Sequence, residues 1–141
     1  MQTKTRKPSL PKKVEKYIGH ERGTWAPGDR IPVDIPLARC QRPYRARNVY
    51  KYIAEVQGLN RDLFGYAKAV RRRSDGQLAL IDGQHRINLV KIISPQTKEV
   101  PAQIITVDDE DFEHLMQWKW FAHYQKTNDR FYAERNIRTN L

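Results

Sequence analysis

A chain of 141 residues holds one domain with a tail and buries roughly 68–70% of its unfolded surface, enough for a real core. Its 26 basic against 16 acidic residues leave a formal net charge of +10, which attracts polyanions, nucleic acid first among them; the plainer alternative is a solvated basic surface without a specific ligand. No apolar run approaches a membrane span, no apolar stretch follows Lys4, Arg6 and Lys7 to make a secretory signal, and a lone Cys40 cannot form an internal disulfide, so a cytoplasmic protein is expected.

In chain order, residues 1–30 read as a basic, flexible arm. Pro8, Pro11, Pro27, Gly19, Gly23 and Gly28 interrupt it, and its few apolar residues allow at most a short helix around Val14–Ile18. Ile31-Pro32-Val33-Asp34-Ile35 alternates and predicts a short strand, with Pro32 marking a sheet edge. A cation-crowded loop from Arg39 to Arg47 follows. Asn48 then caps a helix in which Val49, Tyr52, Ile53 and Val56 recur at i, i+3, i+4 and i+7, and Gly58 ends it.

Leu63–Val70 predicts a strand with Phe64, Tyr66, Lys68 and Val70 on one face, and Asp75-Gly76 is a hairpin signal. Lys68, Arg71, Arg72 and Arg73 make this hairpin basic, which suits contact with a nucleic-acid backbone or simply solubility. Leu78–Ile81 returns as a buried strand, Gly83 to about Ile93 is a helix ending before Pro95, and Val100–Val107 is the last strand. The acids from Asp108 to Glu113 complement the dipole of a final helix with Phe112, Leu115 and Met116 inward. Trp118, Trp120, Phe121, Tyr124, Phe131 and Tyr132 then pack that helix onto the sheet or form a self-association surface, hence a homodimer; stacking on bases is the other use of such rings. His114 and His123 have no companions at zinc-ligand spacing.

The most informative segment is Asp82-Gly83-Gln84-His85-Arg86, a tight turn from strand into helix. Such a turn leaves the first helical N–H groups unpaired at the positive end of the helix dipole, where phosphate binds well. His85 and Arg86 add side-chain donors to the backbone ones. Asp82 has two readings: it caps the helix, or it holds a metal ion bridging phosphates or orients His85.

The order strand, cation-rich loop, helix, strand, Asp-Gly turn, strand, DGQHR turn, helix, strand resembles the ParB/sulfiredoxin-like superfamily, in particular its small phage- and plasmid-encoded DGQHR domains. The resemblance covers roughly residues 31–107, leaving 108–141 as a C-terminal helical extension. It implies a mixed α/β (α+β) domain, a small sheet with flanking helices. It also implies that Gly83, Gln84, His85 and Arg86 contact the phosphates of a nucleoside triphosphate, CTP or ATP, with Mg²⁺. The stretch Gln41-Arg42-Pro43-Tyr44-Arg45 resembles the loop that in ParB proteins grips base and phosphates; Arg42, Arg45 and Arg47 would converge from it.

Three departures shape the expectation. Sulfiredoxins carry a cysteine where this chain has Gln84, so sulfinic-acid repair is rejected. Leu89 stands where ParB-like motifs usually have alanine, and the segment after Val107 is too short for the DNA-binding and dimerisation domains of a complete partition protein. The resulting expectation is triphosphate binding at the DGQHR turn with association to nucleic acid, DNA by preference, and at most slow NTP hydrolysis. One alternative is a metal-dependent nuclease using Asp82 and His85 as catalytic residues, though the clustered carboxylates of two-metal sites are missing. The other is a non-catalytic phage or plasmid protein that docks on a host factor.

Overall fold

Strands with apolar residues at consecutive positions must be covered on both faces, and Leu78–Ile81 is such a strand. The computed structural model describes residues 10–39 and 43–117. Their elements, in order, are α1 (Lys12–Glu15), β1 (Glu21–Arg22), β2 (Arg30–Pro32), α2 (Ala46–Val56), β3 (Leu59–Asn60), α3 (Arg61–Phe64), β4 (Ala67–Arg72), β5 (Leu78–Asp82), α4 (Gln84–Ile93), β6 (Glu99–Val107) and α5 (Asp109–Gln117). The fold is mixed α/β. β2-β6-β4-β5 form a four-stranded sheet in which only β4 and β6 are parallel, and β1 and β3 form a separate parallel pair.

Side chains of the main sheet sort by strand alternation. Leu78, Leu80, Ala67, Ala69 and Val100 pack with Val49 and Ile53 of α2 and with Ile87, Val90 and Ile93 of α4. Ala79, Ile81, Val70, Ile105 and Val107 face the other way, onto Phe112 and Leu115 of α5. The sheet is therefore the middle of three layers, and α4 crosses it between β5 and β6. Residues 36–38 cover the outer edge of β5: Ala38 N–H donates to Leu80 O at 2.9 Å and Leu80 N–H to Pro36 O at 2.8 Å. Both bonds fall at Leu80, so the segment blocks the middle of that edge against pairing with another chain. The same segment delivers the cation-rich loop to the C-terminal end of β5.

Several boundaries differ from the sequence-based expectation, each for a local reason. Residues 10–30 are packed, not a flexible arm: Val14 is fully buried and the Trp25 ring meets Phe64 edge-on at 5.3 Å. The Glu21 carboxylate takes Arg61 at 2.6 Å and Gln96 at 2.9 Å. Burial alone would raise the pKa of Glu21, but hydrogen bonds from Ser94 and Gln96 and the Arg61 guanidinium hold it below the ordinary value. The expected strand over 31–35 is shorter, ending at Pro32 on the sheet edge, although Val33 N–H still donates to Lys98 O at 2.9 Å.

α2 starts two residues before Asn48, with extended Arg45 at the N-cap, and it ends on Gln57 in the left-handed region at φ 62°. The expected Leu63–Val70 strand opens in helix: the Asn60 side chain accepts Asp62 N–H at 3.1 Å and starts α3, which takes in Leu63 and Phe64, so β4 begins only at Ala67. Among the described residues no helix is long and apolar enough to cross a membrane. The basic start through Lys7, Cys40 and the aromatic stretch from Trp118 to Tyr132 lie outside the described residues, and with them any self-association surface there.

Candidate functional site

The strand-to-helix turn is fixed by Gly83. Its φ is +112°, and a Cβ there would stand 3.0 Å from the Cβ and 3.2 Å from the Cα of Ala67 on the neighbouring strand, so only glycine fits. α4 begins at once: Ile87 N–H donates to Gly83 O at 2.9 Å, and no side chain caps the helix. The N–H groups of Gln84, His85 and Arg86 precede that first bond and are left for other acceptors. Asp82 is thus not the cap. It ends β5 half-buried, paired in register with Lys68 across a bulge.

His85 is the hinge between turn and loop. Its Nε2 accepts the backbone N–H of Arg45 at 3.1 Å, and the Tyr44 ring lies against the imidazole at 5.4 Å between centroids, tilted by 35°. An accepting Nε2 puts the ring proton on Nδ1. The structure therefore joins loop and turn, and it does so through main chain and rings before any guanidinium is involved. Burial and then Tyr50 push the Tyr44 phenol above its ordinary pKa, so it stays protonated at neutral pH. Gln41 and Arg42 lie outside the described residues; Arg45 and Arg47 are exposed, and of the two only Arg45 is tied to the turn, through its N–H. Arg39 leaves it, donating to Gln117 O at 3.3 Å.

Arg86 has a structural task that sequence spacing did not indicate. Its guanidinium donates to Phe64 O at 2.5 Å and lies over the Phe64 ring at 5.5 Å. A guanidinium has five N–H donors, so the contact leaves donors for a ligand. Beside it a groove of about 200 Å³ opens between α2 and α4, lined by Asn48, Val49, Tyr52, His85, Arg86 and Leu89. Asn48 and Tyr52 were missed as site residues. Tyr52 belongs to the apolar stripe of α2, yet it is 41% exposed while Val49 and Ile53 are buried. A stripe wider than the core needs was the available signal.

The basic hairpin is largely self-neutralised. Arg72 donates to Asp75 at 2.9 and 2.6 Å, to Gln77 at 2.8 Å and to Glu113 at 3.1 Å, and it covers the Phe112 ring. Arg73 pairs with Asp108 at 2.9 Å, and Asp109 accepts Ser74 N–H at 3.1 Å. The Arg72 hydrogen bonds lower the Asp75 pKa to about 2 and raise that of Arg72. The acids at the start of α5 thus serve the hairpin as well as their own helix dipole. Arg71 remains exposed, and Lys68 is half-buried within β4.

Those acids lie at the far end of β5 from Asp82, roughly the length of a five-residue strand at about 3.3 Å per residue. Among the described residues no three His, Cys, Asp or Glu side chains gather where they could hold a metal ion. No protein-family model, curated protein or solved structure matches the chain.

Proposed function

We propose that this chain is a ParB-like domain that binds a nucleoside triphosphate at Gly83–Arg86 and associates with nucleic acid. The observation that carries the reading is the Arg45-to-His85 bond, which holds the residues before α2 against the start of α4, whose amides up to Arg86 precede its first helical bond. In this reading the amides of residues 84–86 and the Nδ1–H of His85 donate to phosphoryl oxygens, and Arg42, Arg45 and the spare donors of Arg86 neutralise charge. Gln84, the first residue of α4, adds a polar side chain at the same turn.

Asp82 is the carboxylate nearest in sequence to those amides, and one carboxylate with substrate phosphates is a common way to hold Mg²⁺. In this reading Asp82 would hold that ion, which would offset repulsion between Asp82 and the triphosphate. In this reading the site holds phosphate, and hydrolysis is slow because no general base stands positioned among the described residues.

Calorimetry with each of the four triphosphates, with and without Mg²⁺, tests this. One triphosphate should bind, and Arg45→Ala together with His85→Ala should weaken it about tenfold or more, the scale of a lost charge-assisted bond. Absence of binding to all four nucleotides would sink the reading.

A further inference from the structure

We propose that the groove between α2 and α4 stacks the bases of single-stranded nucleic acid, with Arg47 and Lys51 following its backbone. This deepens the nucleic-acid half of the function proposed above and rests on that half alone. Exposed large apolar side chains concentrate here. Of the five among the described residues, Tyr52 lines the groove, Tyr44 backs its His85 wall, and Leu63 lines a small hollow that shares Tyr52, Arg86 and Leu89 with it. A half-exposed tyrosine costs solvation that a stacked base would recover.

The volume narrows the choice of ligand. Pockets that enclose a whole small molecule run to about 300–1,000 Å³, and this open groove of about 200 Å³ is smaller. It takes one ring system and leaves the rest of a ligand to run outside. What lies outside is cationic. Arg47 and Lys51 are exposed and four residues apart on α2, so they form a row next to the Asn48–Tyr52 ridge that borders the groove. Among the described residues no carboxylate pairs with Arg45, Arg47 or Lys51. This contrasts with the hairpin, whose Arg72 and Arg73 are already neutralised. A half-exposed tyrosine ring beside cations that no described carboxylate pairs suits a strand whose bases are unpaired; a duplex hides its base faces. The Asn48 amide, at the rim, can donate to or accept from a base edge.

Fluorescence anisotropy of the full chain with a labelled oligothymidylate is the test. Tyr52→Leu keeps the apolar bulk but removes the ring, and it should weaken binding about tenfold, whereas Tyr52→Phe should bind like the parent. Arg47→Ala and Lys51→Ala should each flatten the dependence of log affinity on log salt by about 0.7. The proposal is overturned if the parent does not bind, if Tyr52→Leu binds as well as the parent, or if a duplex of the same length binds equally well. Displacement by polyglutamate as effective as by unlabelled oligothymidylate also overturns it, in favour of an acidic protein partner. Triphosphate binding is read by calorimetry on the same samples. Its absence with oligothymidylate binding intact overturns the turn reading and supports the groove; the reverse result overturns the groove and leaves the turn.

Discussion

At Gly83 the absence of one carbon sets the geometry of the whole turn. Gly83→Ala must place a Cβ against the backbone of Ala67 while holding a φ of +112°. We expect a loss of about 1–3 kcal/mol in denaturant unfolding, from strain and overpacking together; a change within about 0.5 kcal/mol would show that the turn relaxes freely. His85→Ala removes the acceptor of the Arg45 amide and should cost about 1 kcal/mol. The sharper readout is hydrogen exchange, where the Arg45 amide should lose protection while core amides of β4 keep theirs. Glycine at this turn was legible in the sequence because turn chemistry is local, whereas the Arg45 partner of His85, 40 residues away, was not. The partner of Arg86 was not, since the Phe64 carbonyl lies 22 residues away and only the fold brings it near.

Among the elements, the hairpin and α5 behave as one electrostatic unit. Asp75 is held at about 2 against an ordinary value of 3.8, first by its hydrogen bond from Arg72 and then by Gln77 N–H. Because the ionised form is the one favoured in the fold, its stabilisation is complete above about pH 4 and is lost as pH falls through 2. An NMR titration of the Asp75 carboxyl should give a midpoint near 2, and Arg72→Gln should return it toward 3.8. The Asp-Gly turn and the strand beside it were readable from period and turn residues. α3 was not: its four residues start from an Asn60 cap that looks like ordinary loop chemistry, and Phe64 fits a strand pattern equally well. The acids of α5 were correctly read for their helix dipole, but pairing with Arg72 and Arg73 depends on the packing of α5 against β4, which no local pattern encodes.

For the molecule as a whole, net charge says less than its distribution. Within the +10 of the sequence the basic hairpin reads as a nucleic-acid contact or simply as solubility, and carboxylates there answer two of its three consecutive arginines. The loop and α2 keep their cations unpaired among the described residues, which moves the electrostatic attraction to the side that holds the turn. The same packing ties residues 10–30 into the body of the protein through Trp25, whose ring meets Phe64, the residue whose carbonyl receives Arg86. An indole two contacts removed from the motif guanidinium is an intrinsic optical probe. With Trp118 and Trp120 replaced by phenylalanine, occupancy of the turn should alter the emission of Trp25 without any attached dye, and Arg86→Lys should silence that signal.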